Sequence, residues 1–197
     1  MYSPLIQKLI GQFSKFPTIG PRSAARFVFY LLKTSETEVK ELEESIQQLR
    51  KKVKLCSFCF NPFEGEGELC PICANPKRKQ PFICVVEKEP DLEAIEKTGQ
   101  YKSRYFILGG TVARLKKDDM KSLRTKELIE RAKDETIKEI ILATNSTPEG
   151  ENTALYLERL LAPINKKITR LGRGIPLGGE LEYTDPETIK SALEGRK

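Results

Sequence analysis

The first 54 residues carry a helical pattern of apolar positions. Ser3 followed by Pro4 is a cap-then-proline start, and Leu5, Ile6, Leu9, Ile10 and Phe13 then recur at helical spacing. Pro17 to Pro21 interrupts the pattern. A second helix is expected from near Pro21, with Ala24, Phe27, Val28, Leu31 and Leu32 on one face. Ser35 and Glu38 form the two ends of a capping box. They open a third helix whose stripe is Val39, Leu42, Ile46, Leu49 and Val53. Residues 55–80 lose the period; they hold four cysteines, three prolines and two glycines, a poor basis for a core.

From residue 81 the pattern alternates between strand and helix. Phe82–Val86, Tyr105–Leu108, Ile140–Ala143 and Ile168–Leu171 read as strands, with helical stretches near 91–97, 122–133 and 151–162. That order predicts a mostly parallel sheet covered by helices. A last helix is expected from Asp185-Pro186 to Gly195. The fold class is therefore α+β in modules: a helical module over 1–54, a small cysteine module over 55–80, an α/β domain over 81–175, and a tail with a helix over 176–197. No internal repeat and no low-complexity tract is present.

Composition narrows the function. The 197 residues are 31% charged and 39% hydrophobic, as in soluble globular proteins. No apolar run approaches the roughly 20 residues of a membrane span, and Met1-Tyr2-Ser3-Pro4 opens no signal peptide. The expected location is the cytoplasm, with no membrane partner. Five cysteines there point to metal or core before disulfide. The chain has no histidine, which excludes Ser-His and Cys-His nucleophile arrangements. Its net charge is +6, and residues 1–35 hold Lys8, Lys15, Arg22, Arg26 and Lys33 without a single acid. Such a segment suits a polyanion or serves as a solubilising helix face.

Cys56-x2-Cys59, ten residues, then Cys70-x2-Cys73 is the strongest chemical signal. Zinc takes four thiolates near 2.3 Å in a tetrahedron, and two Cys-x2-Cys turns supply them. A full set of four leaves no place for water, so the expected zinc, one per chain, is structural. Disulfides and an iron–sulfur cluster are the alternatives. Cys84, inside Ile83-Cys84-Val85-Val86, reads as core.

Pro17-Thr18-Ile19-Gly20-Pro21-Arg22-Ser23-Ala24, between two amphipathic helices, looks like a helix-hairpin-helix motif. There a helix N-terminus offers backbone N–H groups to a DNA phosphate. Lys15, Arg22 and Arg26 are the candidate DNA contacts, and backbone contacts carry no base information. The usual hairpin is Gly-x-Gly, and Thr18 replaces the first glycine. A plain helical hairpin is the alternative.

In the C-terminal domain, Glu87 follows the first strand, and Glu149 and Glu151 are expected beside it at the next helix start. One Glu after strand one and two acids after strand three resemble a Toprim domain, whose acids hold Mg²⁺ for phosphoryl transfer. An active site of that kind has Asp-x-Asp directly after strand three; here stands Thr144-Asn145-Ser146. The displaced acids suit weak Mg²⁺ binding or an acidic docking surface, with a solvated helix start as the alternative. The stretch Leu171 to Gly179 lacks the Lys-Ser/Thr ending of a phosphate loop and reads as a structured loop, suited to a subunit contact.

Taken in order, these parts closely resemble the RecR family of recombination mediators. The resemblance rests on Ile19-Gly20-Pro21-Arg22-Ser23-Ala24, the Cys-x2-Cys pair, Ile83-Cys84-Val85-Val86-Glu87, Glu149-Gly150-Glu151, and Gly174 to Tyr183. It departs at Thr18 and at Gly172-Arg173. It implies a non-enzymatic bacterial protein, cytoplasmic and nucleoid-associated during repair. Such a protein forms a ring, usually a tetramer, and binds duplex and single-stranded DNA. With RecO and RecF it helps load RecA on gapped or single-stranded DNA. The resemblance also places Arg22 and Arg26 toward DNA, and Glu87, Glu149 and Glu151 in a patch that binds RecO. The competing class is a Mg²⁺-dependent Toprim nuclease or topoisomerase-like enzyme, which the missing Asp-x-Asp and missing histidine disfavour.

Overall fold

The computed structural model describes residues 2–78, 80–112, 123–172 and 174–196. The chain divides into two compact units, Met1–Val53 and Lys54–Lys197.

The first unit is helical: α1 (Pro4–Phe13), α2 (Pro21–Leu31) and α3 (Glu36–Lys52). The end signals act where the sequence places them. Ser3 accepts the Ile6 N–H, with Pro4 in the first turn. Both halves of the Ser35–Glu38 capping box form. Ala24 and Val28 are buried, and Phe13 meets Phe27 edge-on with centroids 5.8 Å apart. In the turn, Thr18 has φ 66°, a left-handed conformation uncommon for a β-branched residue. Thr18 thus takes the conformation in which glycine would be unstrained. Gly20 shows the opposite. Its φ is −83°, and a Cβ added there would meet nothing within 4 Å. α3 buries none of its residues; Leu42, Ile46 and Leu49 are 44%, 55% and 59% exposed.

The second unit opens with an antiparallel pair, β1 (Lys54–Leu55) and β2 (Pro62–Phe63), and a short helix, α4 (Pro71–Ala74). A helical turn at Pro76–Arg78 leads into β3 (Phe82–Val86), α5 (Glu89–Lys97) and β4 (Arg104–Ile107). After them come α6 (Thr125–Ala132), β5 (Glu139–Ala143), α7 (Pro148–Leu161), β6 (Lys167–Arg170) and α8 (Pro186–Glu194). The sheet order is β4-β3-β5-β6, and every pair is parallel. Alternate residues sort to the two faces. Ile83, Val85, Phe106, Ile140 and Leu142 pack with Leu128 of α6 and with Leu157 and Leu161 of α7. Cys84, Val86, Tyr105 and Ile107 pack with Leu92 of α5. Both faces are covered, as a parallel sheet requires.

The strands fall within a residue of the expected runs. α7 starts at Pro148, three residues before the expected stretch, because Thr147 caps it by accepting the Gly150 N–H at 3.1 Å. Position 122 of the stretch expected over 122–133 and Arg173 lie outside the described residues. Cys84 is in the core, 1% exposed, and burial pushes its thiol up to about 12. Among the described residues, no helix is long and apolar enough to cross a membrane.

Candidate zinc centre and strand-end site

The two cysteine pairs converge. Cys56 and Cys59 bracket the turn after β1, Cys70 caps α4, and Cys73 lies within it. The four sulfurs are buried and lie within 4.8 Å of one another. Zinc–sulfur bonds of about 2.3 Å set tetrahedral sulfurs about 3.8 Å apart; Cys59 Sγ and Cys70 Sγ are separated by 3.6 Å. The backbone N–H of Cys70 donates to Cys56 Sγ at 3.3 Å, and that of Asn61 to Cys59 Sγ at 3.4 Å. Without a cation Cys59, Cys70 and Cys73 compete for protons. Hydrogen bonding with Cys70 holds Cys59 above the usual thiol value, and Cys59 and Cys70 do the same to Cys73. Hydrogen bonding with Cys59 and Cys73 draws Cys70 far below it. A divalent cation removes the conflict, because a coordinated thiol is deprotonated. The donor set fits zinc, and the full four-sulfur shell gives it a structural role.

The metal module is clamped to the sheet. The Cys59 carbonyl accepts the Ile107 N–H at 2.9 Å, on the outer side of edge strand β4. Phe58 lies beneath the guanidinium groups of Arg104 and Arg131, at 4.3 and 5.2 Å from its ring centre. Arg131 also donates to the Ser57 carbonyl at 2.7 Å. Phe60 meets Phe106 edge-on at 5.5 Å and lies beneath Arg124, which donates to the Ile107 carbonyl. Sequence reasoning singled out neither ring; the signal was an aromatic on each side of Cys59.

A second group of residues gathers at the carboxyl ends of the strands. Glu87 follows β3 directly and is only 3% exposed. One carboxylate oxygen accepts the Asn145 N–H at 2.8 Å and the other the Asn145 side-chain amide at 2.6 Å. Gly150, in the first turn of α7, lies against this pair. A Cβ there would sit 2.8 Å from the Glu87 carboxylate and collide with the Asn145 carbonyl. Glu149 is exposed in the same turn. Glu151 pairs with Arg170 at 3.0 Å, and Arg170 also grips Glu158 through two bonds of 2.7 and 3.0 Å. The three expected acids thus share one end of the sheet in different states: one buried and hydrogen-bonded, one open, one paired. A cavity of about 600 Å³ lies beside them, lined by Ser146, Thr147, Glu151, Asp185, Thr188 and Ser191 among others. Sequence reasoning missed the roles of Asn145 and Arg170. Arg170 was within reach, because the carboxyl ends of open parallel sheets line the crevice.

Lys15, Arg22 and Arg26 belong to the first unit. Lys15, Arg22 and Arg26 are all exposed, and Lys15 bonds the Gln12 side chain at 3.2 Å. Arg22 and Arg26 make no ion pair among the described residues.

Comparison with known proteins gives the same modules in the same order. Family models match for the RecR helix-hairpin-helix over residues 6–50 and the RecR four-cysteine zinc finger domain over 53–75. The Toprim domain follows over 82–172 and the RecR C-terminal region over 174–197. The recombination protein RecR of Cutibacterium acnes is 42% identical over 196 residues, covering 100% of this chain and 96% of that protein. The chain belongs to the RecR family. RecR of Dehalococcoides mccartyi is 44% identical and that of Chloroflexus aurantiacus 45%, each over 192 residues, 98% of this chain and 93% of theirs. The converging cysteines are therefore the four-cysteine zinc finger of a RecR chain.

Two outcomes test this geometry. Purified protein should contain one zinc per chain by elemental analysis, and Cys59→Ser with Cys73→Ser should lose it and lower the melting temperature, since metal binding and local folding are coupled. A metal-free wild type would refute the site. Gly150→Ala should cost about 1–3 kcal/mol in denaturant unfolding through overpacking. Gly11→Ala, in α1 with open space around it, should cost nothing and can gain up to about 1 kcal/mol; equal effects would mean that Gly150 is not packed as described.

Proposed function

We propose that this RecR-family chain is a non-enzymatic recombination mediator in DNA repair. It binds duplex and single-stranded DNA without base specificity, acts in the cytoplasm as a ring-like tetramer, and works with RecO and RecF to help load RecA on gapped DNA. The observation that carries the DNA-binding part is the start of α2. Arg22 and Arg26 stand one turn apart with no acid nearby in sequence. Gly20, ahead of them, has no steric reason of its own in the fold, which suits close approach of a phosphate to the backbone. Lys15 is the third proposed contact.

The non-enzymatic part is supported by the strand-end site. Metal-assisted phosphoryl transfer needs carboxylates free to hold Mg²⁺. Asn145 occupies both oxygens of Glu87, Arg170 neutralises Glu151, and Thr144 to Ser146 supply no acid. Any Mg²⁺ there is weakly held on this reading. Glu149, with Glu87 and Glu151 behind it, forms the proposed docking patch for RecO. The modules 1–54, 55–80, 81–175 and 176–197 are the proposed units of DNA contact, metal support, partner docking and subunit contact.

DNA binding measured at several salt concentrations tests the first part. Arg22→Ala and Arg26→Ala should each weaken binding for all sequences alike and reduce the log–log salt slope by about 0.7–0.9 per phosphate no longer neutralised. Unchanged affinity and slope in both variants would place the DNA elsewhere. Incubation with nicked, gapped and single-stranded DNA in Mg²⁺ or Mn²⁺ should give no cleavage or religation. Turnover abolished by Glu87→Gln would restore the Toprim-enzyme reading.

A further inference from the structure

A parallel sheet collects its strand starts on one edge and its strand ends on the other. In this chain the two edges differ in charge. The ends carry five acids, Glu87, Glu89, Asp91, Glu149 and Glu151, against two cations, Lys88 and Arg170. The starts carry Lys77 ahead of β3, Lys102 and Arg104 at β4, Lys138 at β5, and Lys166 and Lys167 at β6. Of the acids near the starts, Glu135 is exposed, and Glu139 and Asp134 are engaged. Glu139 is tied to Lys167 at 3.2 Å and Thr169 at 2.7 Å, and Asp134 accepts the N–H and hydroxyl of Thr136. With the order β4-β3-β5-β6, cations stand at the starts of β4, β5 and β6, strands spread over three gaps or about 14 Å.

At the β4 end the edge becomes concave. Lys77 and Lys102 line a cavity of about 530 Å³ with Pro71, Ile72, Asn75 and Arg78. The acid in this cavity is Glu96, and it is occupied: it accepts Arg78 at 2.8 Å and the Tyr105 hydroxyl at 2.9 Å. Lys77 and Lys102 are exposed and have no ion pair among the described residues. Arg104, at the start of β4, lies on Phe58, and its buried Nε has no hydrogen-bond partner among the described residues. Like charges lining one cavity repel one another, and a polyanion relieves the repulsion.

We propose that this strand-start edge is a second contact surface for the sugar-phosphate backbone of nucleic acid, centred on Lys77 and Lys102 in the groove between the zinc module and β4. It is distinct from the Arg22–Arg26 helix start. The groove offers cations and one side-chain amide, Asn75, a set that contacts phosphates and carries no base readout. The proposal rests on the DNA-binding reading above.

The test uses the full chain with labelled single-stranded and duplex DNA across a salt series. Lys77→Ala with Lys102→Ala should weaken binding several-fold at low salt and reduce the log–log slope by about 1.4–1.8, the share of two phosphates, with zinc content unchanged. Lys126→Ala with Lys190→Ala removes the same net charge from exposed positions on α6 and α8 and should leave the slope as it was. If wild type binds and the Lys77/Lys102 variant keeps its slope, or if both double variants lose equally, the edge is only solvated and the proposal fails. If wild type binds neither DNA, the DNA-binding reading itself fails, and this proposal with it. A loss confined to one of the two DNAs supports the surface and assigns it to that form.

Discussion

Four thiolates can occupy a space less than 5 Å across only around a cation, and that constraint organises the second unit from its first residues onward. The segment between β1 and α4 buries little besides its own cysteines and Phe63. Its order therefore comes from the metal, as in other small modules that cannot build a core. The order then propagates through ordinary bonds. The Cys59 carbonyl fixes the Ile107 N–H, and Phe58 and Phe60 anchor arginines reaching over from β4, α6 and the loop before α6. An edge strand left open would present unpaired N–H groups; here the zinc turn covers it. Beyond β4, Leu108 and Gly109 donate to the carbonyls of Val86 and Glu87. The residue that carries the buried carboxylate is thus bonded to the same short stretch of chain that the metal turn holds.

At Glu87 the controlling cost is desolvation. A carboxylate this buried persists only with its lone pairs met, and one residue, Asn145, meets both oxygens. Gly150 lets α7 come close enough for that pairing, because any side chain there would strike the partners. On the outer side, Arg170 holds Glu151 and Glu158 together. These contacts fix groups in place and leave little room for ligand exchange, which agrees with the docking role proposed for the patch.

Local signals in the sequence were legible because each is a property of a short stretch. Ser3-Pro4, the Ser35–Glu38 box, the two Cys-x2-Cys turns and the apolar run Phe82–Val86 each state their structure without reference to distant parts. Pairings set by topology were not. Glu87 and Asn145 are 58 positions apart, and nothing in Thr144-Asn145-Ser146 except a missing acid marks the amide. The Arg104–Phe58–Arg131 stack joins three elements that become neighbours only once β4 is the sheet edge. Thr18 lay between the two cases. The departure from glycine was visible, but only the backbone shows that threonine accepts the left-handed turn instead of abolishing it.

The helical unit poses a different energetic problem. Ordering a residue costs about 1–2 kcal/mol, and helices of 10 and 11 residues are marginal alone in water. Yet its buried side chains are Ala24 and Val28, while Leu5, Leu9, Leu42 and Ile46 line an open apolar groove of about 360 Å³. A second copy carries the same stripe, so a two-fold axis through the groove would cover both at once. The C-terminal tail presents another apolar group, with Leu177 fully exposed and Leu181 and Tyr183 at 62% and 79%. One self-complementary patch closes a dimer and stops. Two separate patches on each chain would allow dimers to join further, and a closed set of four is the arrangement that the proposed tetrameric ring requires of them.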